Sequence, residues 1–240
     1  MAWSGGKDSA MALHALRGDP RYEVVGLMTT VAQRYDRVSH HGIRSELIDR
    51  QAERIGLPLK KLYLTDEGCC SCINQRYEDL MRDAMLAYKE QGVEAVAFGD
   101  IFLEDLRRRR EEKLALVDMQ AVFPIWGRDT RQLVRDFVTE GFQAIVSCVV
   151  TDKLDPSFAG RQIDQAFISD LPTTIDPCGE NGEYHSYVWD GPIYSEPIAV
   201  RPGHKVYRDV RCFVELLPDK DSRRRDEGNA TSLTSHLQQS

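Results

Sequence analysis

The sequence has no long apolar run, no surplus of positive charge and too few cysteines for a disulfide framework. Each lack closes off a class of protein. Its apolar stretches stop well short of the roughly 20 residues that a helix needs to cross a bilayer. Charged residues also break up the opening segment, where no secretory leader is expected. Acidic residues outnumber basic ones by 38 to 31, for a net charge of −7. Broad electrostatic capture of nucleic acid is therefore not expected, although a local basic groove stays open. The six cysteines, Cys69, Cys70, Cys72, Cys148, Cys178 and Cys212, are sparse for 240 residues and point to a reducing cytoplasm. Cys69 and Cys72 form a C-x-x-C pair, but no second pair stands nearby. That favours incidental loop cysteines over a metal or sulfur-carrier site.

What is present is the material of an ordinary globular core, 42% hydrophobic and 29% charged residues, enough for one large domain or two modest ones. Short apolar, β-branched runs over 22–30, 57–64, 93–100, 120–126 and 142–150 read as strands. Between them, 10–18, 43–56, 74–92, 102–119 and 129–141 read as helices, several ending at glycine. This alternation predicts an α/β fold, a Rossmann-like parallel sheet flanked by helices. After residue 150 the rhythm changes to a loop, a short helix over 161–171 and a glycine-rich stretch over 176–194. A last strand over 204–217 places Val206, Val210, Cys212, Val214 and Leu216 on one face. The expected organisation is a nucleotide-binding domain over 1–125, a smaller C-terminal α+β region over 126–218, and an unstructured polar tail over 219–240.

Three segments carry chemistry. The first is Ser4-Gly5-Gly6-Lys7-Asp8-Ser9. The commoner phosphate loop, G-x-x-x-x-G-K-[ST], is excluded because Asp8 follows Lys7 and no glycine lies five positions before Gly6; G-x-G-x-x-G is absent here too. The physics of an anion site remains. Two glycines let the backbone approach a ligand, a helix start offers free N–H groups, Lys7 supplies charge, and Ser4 and Ser9 supply hydroxyls. A capped helix start alone does not call for all six residues together. The second is Gly99-Asp100, at the carboxyl end of a predicted strand, where open α/β sheets bind ligands. The Arg107–Arg110 run behind it is explained largely by surface ion pairs with Glu104 and Glu111. The third, Asp176-Pro177-Cys178-Gly179-Glu180-Asn181-Gly182-Glu183-Tyr184-His185, is a tight loop whose carboxylates could converge.

The opening hexapeptide resembles the pyrophosphate loop of the ATP pyrophosphatases, which share an adenine-nucleotide α-hydrolase fold and split ATP between its α- and β-phosphates. Together with FGDI, PIW and CGENGEYH, it resembles the diphthine–ammonia ligase family over residues 2–195. The resemblance implies that Ser4, Gly5, Gly6, Lys7, Asp8, Ser9, Met28 and Gly99 bind ATP. It implies a Mg²⁺ held by Asp8, which would turn repulsion of phosphate into ligation. Arg107, Glu111, Cys178, Gly179, Gly182, Tyr184 and His185 would face the acceptor, and Lys7, Asp8, Asp100, Glu180 and Glu183 would act in catalysis. His40-His41-Gly42-Ile43-Arg44 resembles a family segment near the nucleotide, or is a surface loop.

The partners implied are ammonia and a carboxylate acceptor, either diphthine on translation elongation factor 2 or another small molecule. No membrane partner is expected. Three departures are visible: only Met1–Trp3 precede the loop, His185 stands where eukaryotic members carry an acid, and the extra C-terminal domains of long forms have no counterpart. Ala2 leaves no N-terminal cysteine for a glutaminase, so free ammonia is the simpler nitrogen source. Two alternatives stay in view, a tRNA-thiolating ATPase of related type and a non-catalytic ATP-binding module.

Overall fold

The computed structural model describes residues 1–38, 41–65 and 70–219, with side chains in the last stretch described from residue 75 onward. The tail expected over 219–240, His40, and the side chains of Cys69, Cys70 and Cys72 therefore lie outside the described residues, apart from Asp219.

The first half is the expected open sheet. Strands β1 (Leu27–Ala32) and β3 (Leu59–Leu64) pair in parallel, as do β4 (Ala95–Ala97) and β5 (Gln120–Val122). Residues 1–3 join the two pairs. Ala2 bridges Met28 in parallel, Trp3 N–H donates to Met28 O, and Ala2 N–H donates to Ala97 O. The order is thus β3, β1, residues 1–3, β4, β5, and the direction of winding reverses between the N-terminal segment and β4. Such a switch point opens a crevice at the carboxyl ends of the strands. A two-residue strand β2 (Arg37–Val38) returns antiparallel to the end of β1.

The helices are α1 (Lys7–Arg17), α2 (Ser45–Ile55), α3 (Cys70–Glu90), α4 (Glu104–Ala115), α5 (Thr130–Thr139) and the short α6 (Gln165–Asp170). Leu47, Ile48, Gln51, Ala52 and Ile55 make the buried stripe of α2, and Gly56 closes it in the left-handed conformation. Asp129 caps α5 by accepting from Gln132 N–H.

Two expectations fail in the second half. The run 142–150 does form β6 (Gln143–Val150), but it pairs antiparallel with β7 (Tyr184–Asp190) and β9 (Arg211–Pro218), in a four-stranded sheet ordered β7-β6-β9-β8. Nearly all of β6 is buried, so its apolar run looks like a parallel strand, and strand direction leaves no mark on composition. The single strand expected over 204–217 is a hairpin, β8 (Val200–Arg208) and β9, folded at Asp209–Val210. Asp209 turns the chain at φ +49 without the glycine or asparagine that usually marks such a turn. Val210 is therefore exposed at the tip, while Cys212, Val214 and Leu216 share the buried face. Strand β7 was hidden in the glycine-rich stretch. One hydrophobic core draws on both halves, from Trp3, Leu13 and Ile48 to Phe137, Phe142 and Tyr187.

Candidate active site

The hexapeptide lies at the switch point, and buried polar side chains set its shape. Gly5 has φ +78, and a Cβ there would stand 2.6 Å from Ile48 Cδ1 and 2.7 Å from Gln51 Oε1. Gln51 is fully buried. Its amide donates to Gly5 O (3.0 Å) and Val188 O (2.6 Å), and its oxygen accepts from Trp3 Nε1 (2.9 Å). From the second sheet, Val188 N–H donates to Gly5 O at 2.9 Å, and Ser186 Oγ accepts from Lys7 N–H at 3.1 Å. Ser4 Oγ accepts from Gly6 N–H and sits 3.2 Å from Ser9 Oγ. Gly6 at the head of α1 gives the helix no capping side chain of its own; Ser186 takes the Lys7 N–H, and the positive end of the helix still favours an anion.

Lys7 is buried, and its ammonium bonds both Asp8 carboxylate oxygens at 2.9 Å and the Cys178 carbonyl, 5.2 Å from the Tyr184 ring centroid. Burial opposes its charge, but the Asp8 carboxylate outweighs it and holds the ammonium above its ordinary range. Gly99 packs against the start of α1, where a Cβ would come within 2.8 Å of the Asp8 carbonyl carbon. Its lack of a side chain is thus explained by helix–strand contact as well as by the cleft it lines.

The cleft, about 410 Å³, runs from this loop along the end of the sheet. Ser4, Gly6, Lys7, Asp8, Ser9, Met28, Gly99, Asp100, Gly179, Glu180, Gly182, Tyr184 and His185 all line it, so the three sequence segments do meet. A larger groove, about 1020 Å³, opens at the opposite ends of the strands around Met1, Val25 and Glu94. Ligand sites in open sheets lie at the carboxyl ends, so the smaller cleft is the chemical one.

Some expected residues turn elsewhere. Arg107 bonds Glu111 Oε1 at 2.8 Å and covers Trp126 and Phe123, with ring centroids at 4.7 and 5.1 Å, so neither Arg107 nor Glu111 lines the cleft. Glu183 Oε1 accepts from Asp176 N–H and Asn181 Nδ2, bracing the late loop from within. The Cys178 thiol donates to Thr130 O at 3.3 Å and is pushed up by burial, which leaves it a poor nucleophile. The Tyr184 hydroxyl donates to Pro177 O at 2.6 Å.

Other residues enter that sequence reasoning missed. Arg110 lines the cleft, its Nε 2.6 Å from Asp100 Oδ2 and its guanidinium 4.1 Å over Phe98. Leu103, Leu106 and Arg110 share one face of α4, and that i, i+3, i+7 spacing was the available signal. Thr29 Oγ1 is buried in the wall, without a hydrogen-bond partner among the described residues. His41, from the His40–Arg44 segment that the sequence did single out, packs against His185 with ring centroids 4.5 Å apart and planes tilted by 41°.

Burial raises carboxyls here above their ordinary range. Burial raises Asp100, against the pull of Arg110 and with help from Asp8. Burial pushes Glu180 up to about 7; its Oε1 accepts from Ile101 N–H at 2.8 Å, and Asp8 and Asp100 add to the rise. Such a group is half ionised at neutral pH and can take or give a proton there.

Comparison with known proteins points to one family. Residues 1–116 match the diphthamide synthase N-terminal domain and residues 129–220 the diphthamide synthase C-terminal domain. Diphthine–ammonia ligase of Homo sapiens is 27% identical over 237 residues, covering 89% of this chain and 86% of that protein. Diphthine–ammonia ligase of Danio rerio is 26% identical over 233 residues, covering 89% and 90%. The Schizosaccharomyces pombe protein of that name is 25% identical over 240 residues, covering 90% of this chain but 39% of its own length. With both domains matched in order along the sequence, the chain belongs to the diphthamide synthase family of ATP-dependent ligases.

Proposed function

We propose that the chain activates a carboxylate with ATP and converts it to an amide with ammonia, the acceptor being diphthine or a related carboxylate. The observation that carries this reading is the facing pair of loops. Lys7 and the start of α1 stand on one side, and Glu180, pushed up to about 7, stands on the other within one cleft.

In the first step a carboxylate oxygen of the acceptor attacks the α-phosphorus of ATP, and pyrophosphate leaves. Lys7 and the loop amides neutralise charge on the departing group, and such electrostatic stabilisation is usually the largest catalytic contribution. Asp100 and Arg110 form the wall between nucleotide and acceptor. In the second step ammonia attacks the acyl carbon and AMP departs. Glu180 binds ammonium and accepts its proton. Glu183 supports the loop that aims Glu180.

The residues fit a magnesium ion. With a triphosphate in the cleft, Lys7 gains a stronger anion than Asp8, which leaves an oxygen-only carboxylate for a hard cation. Bound there by Asp8, Mg²⁺ would offset phosphate charge and polarise the bond that breaks.

We read residues 1–125 as the nucleotide side and 126–218 as the acceptor side, a division that falls close to the boundary between the two family domains. The cytoplasm is the proposed compartment, in keeping with free, buried Cys148, Cys178 and Cys212. Among the described residues no helix is long and apolar enough to cross a membrane.

The test incubates the protein with ATP, Mg²⁺, ammonium and diphthine-bearing elongation factor, then follows nucleotide products and acceptor mass. AMP, pyrophosphate and a carboxyl-to-amide mass change are expected. ADP as the product would overturn the reading, and AMP formed without amide would reject ammonia transfer to this acceptor.

A further inference from the structure

A second groove, about 230 Å³, lies between the β1–β2 turn and the β8–β9 hairpin, lined by Tyr35, Arg37, Val38, Arg208, Arg211 and Phe213 among others. Positive charge is concentrated there. Buried Glu215 is shared by Arg37 Nη2 at 2.6 Å and Arg44 Nε at 2.5 Å. Arg208 lies 4.8 Å over the ring of half-exposed Tyr35, and Arg211 is exposed. Among the described residues neither Arg208 nor Arg211 takes part in an ion pair. Arg37, Arg208 and Arg211 thus line the groove with a single carboxylate, Glu215, which Arg37 already shares with Arg44. Asp36 and Asp209, next in sequence to lining residues, sit in turns outside the groove lining, and the Asp36 carboxylate accepts from Ser45 Oγ.

The groove adjoins the nucleotide cleft. Val38 lines both, and Gly42 lines the groove while its neighbour His41 lines the cleft. An acceptor whose carboxylate enters the cleft would lay its flanking atoms across these arginines.

We propose that this groove is a docking surface for an acidic polypeptide segment flanking the acceptor carboxylate. The direction of docking rests on the ligase reading above; the charge of the groove does not. A chain of net charge −7 repels acidic partners in general, so attraction has to be local. The groove is short, about 230 Å³, and suits a short acidic segment. Val38 and Phe213 supply an apolar floor for side-chain stems.

The full chain is titrated against a fluorescein-labelled deca-glutamate peptide at low salt, with binding read by fluorescence anisotropy. Arg208→Glu with Arg211→Glu should weaken binding at least tenfold, whereas Arg135→Glu on exposed α5 should leave it unchanged. The milder Arg208→Gln/Arg211→Gln pair should weaken it in the same direction, and circular dichroism checks that each variant folds. Equal binding by a folded double variant would overturn the proposal. So would displacement of the peptide by ten-residue oligothymidylate, or by inorganic phosphate, at lower concentration than unlabelled peptide. This binding assay stands apart from catalysis, so failure of the ligase reading would leave its result intact.

Discussion

Replacing Glu180 with glutamine should make the protein more stable at alkaline pH while removing the amide-forming step. The carboxyl is raised from its ordinary 4.5 to about 7 because burial disfavours its charged form, with Asp8 and Asp100 adding to the effect. The folded state thus binds this proton more tightly than the unfolded chain does. Stability is lost as pH rises from 4.5 through 7 and stays lost above it. At about 1.4 kcal/mol per pH unit the full cost approaches about 3 kcal/mol, and partial exposure of the side chain screens that to about 1–2 kcal/mol. Glutamine keeps an oxygen that accepts from Ile101 N–H and carries no charge to desolvate. For a chain of this size the gain corresponds to a melting temperature higher by about 3–6 °C at pH 8.5. Little of that gain is expected at pH 4.5, where the folded carboxyl is protonated and the unfolded one only half ionised. Thermal unfolding of both proteins at the two pH values reads this directly. Ammonia-dependent turnover should fall by about 10²-fold or more as the proton acceptor is lost. Equal melting shifts at both pH values would refute the argument, and so would full amide formation by the variant.

Two further substitutions test the site. Gly5→Ala must hold alanine at φ +78 with its methyl within 3 Å of Ile48 and Gln51, so a loss of about 2–4 kcal/mol is expected, read by denaturant unfolding together with loss of ATP binding. Arg110→Met should lower kcat/KM at least tenfold because Arg110 faces the cleft. Arg107→Met should leave steady-state kinetics near wild type and cost about 1 kcal/mol of stability, through lost packing on Trp126. Reversal of that order would show that the wrong arginine has been placed at the site.

The loop was legible because its chemistry is local: glycine, lysine and aspartate at a helix start announce an anion site wherever the rest of the chain goes. Gly99-Asp100 was legible because strand ends are ligand sites in this architecture. The supports were not. Gln51, Ser186 and Val188 bind the loop from 42 or more residues away, and nothing in an isolated glutamine or serine announces a backbone partner across the fold. Direction was equally hidden for β6, since a strand buried on both faces reads the same either way along its neighbours. Strand β7 was masked because Tyr184, His185, Ser186 and Tyr187 mix polar and aromatic residues next to two glycines. The arginine run was ambiguous in sequence because four consecutive residues point four ways on a helix. Only packing against Phe98 on one side and Trp126 on the other assigns Arg110 to the cleft and Arg107 away from it.

The central claim is that this cleft transfers AMP to a carboxylate, so that the bond broken in ATP lies between the α- and β-phosphates. Isotope exchange between labelled pyrophosphate and ATP, with Mg²⁺ and acceptor present and ammonia withheld, measures that step alone. Acceptor-dependent exchange, lost in Asp8→Asn and kept in Glu180→Gln, is the predicted result. ADP and inorganic phosphate formed without any exchange would contradict it.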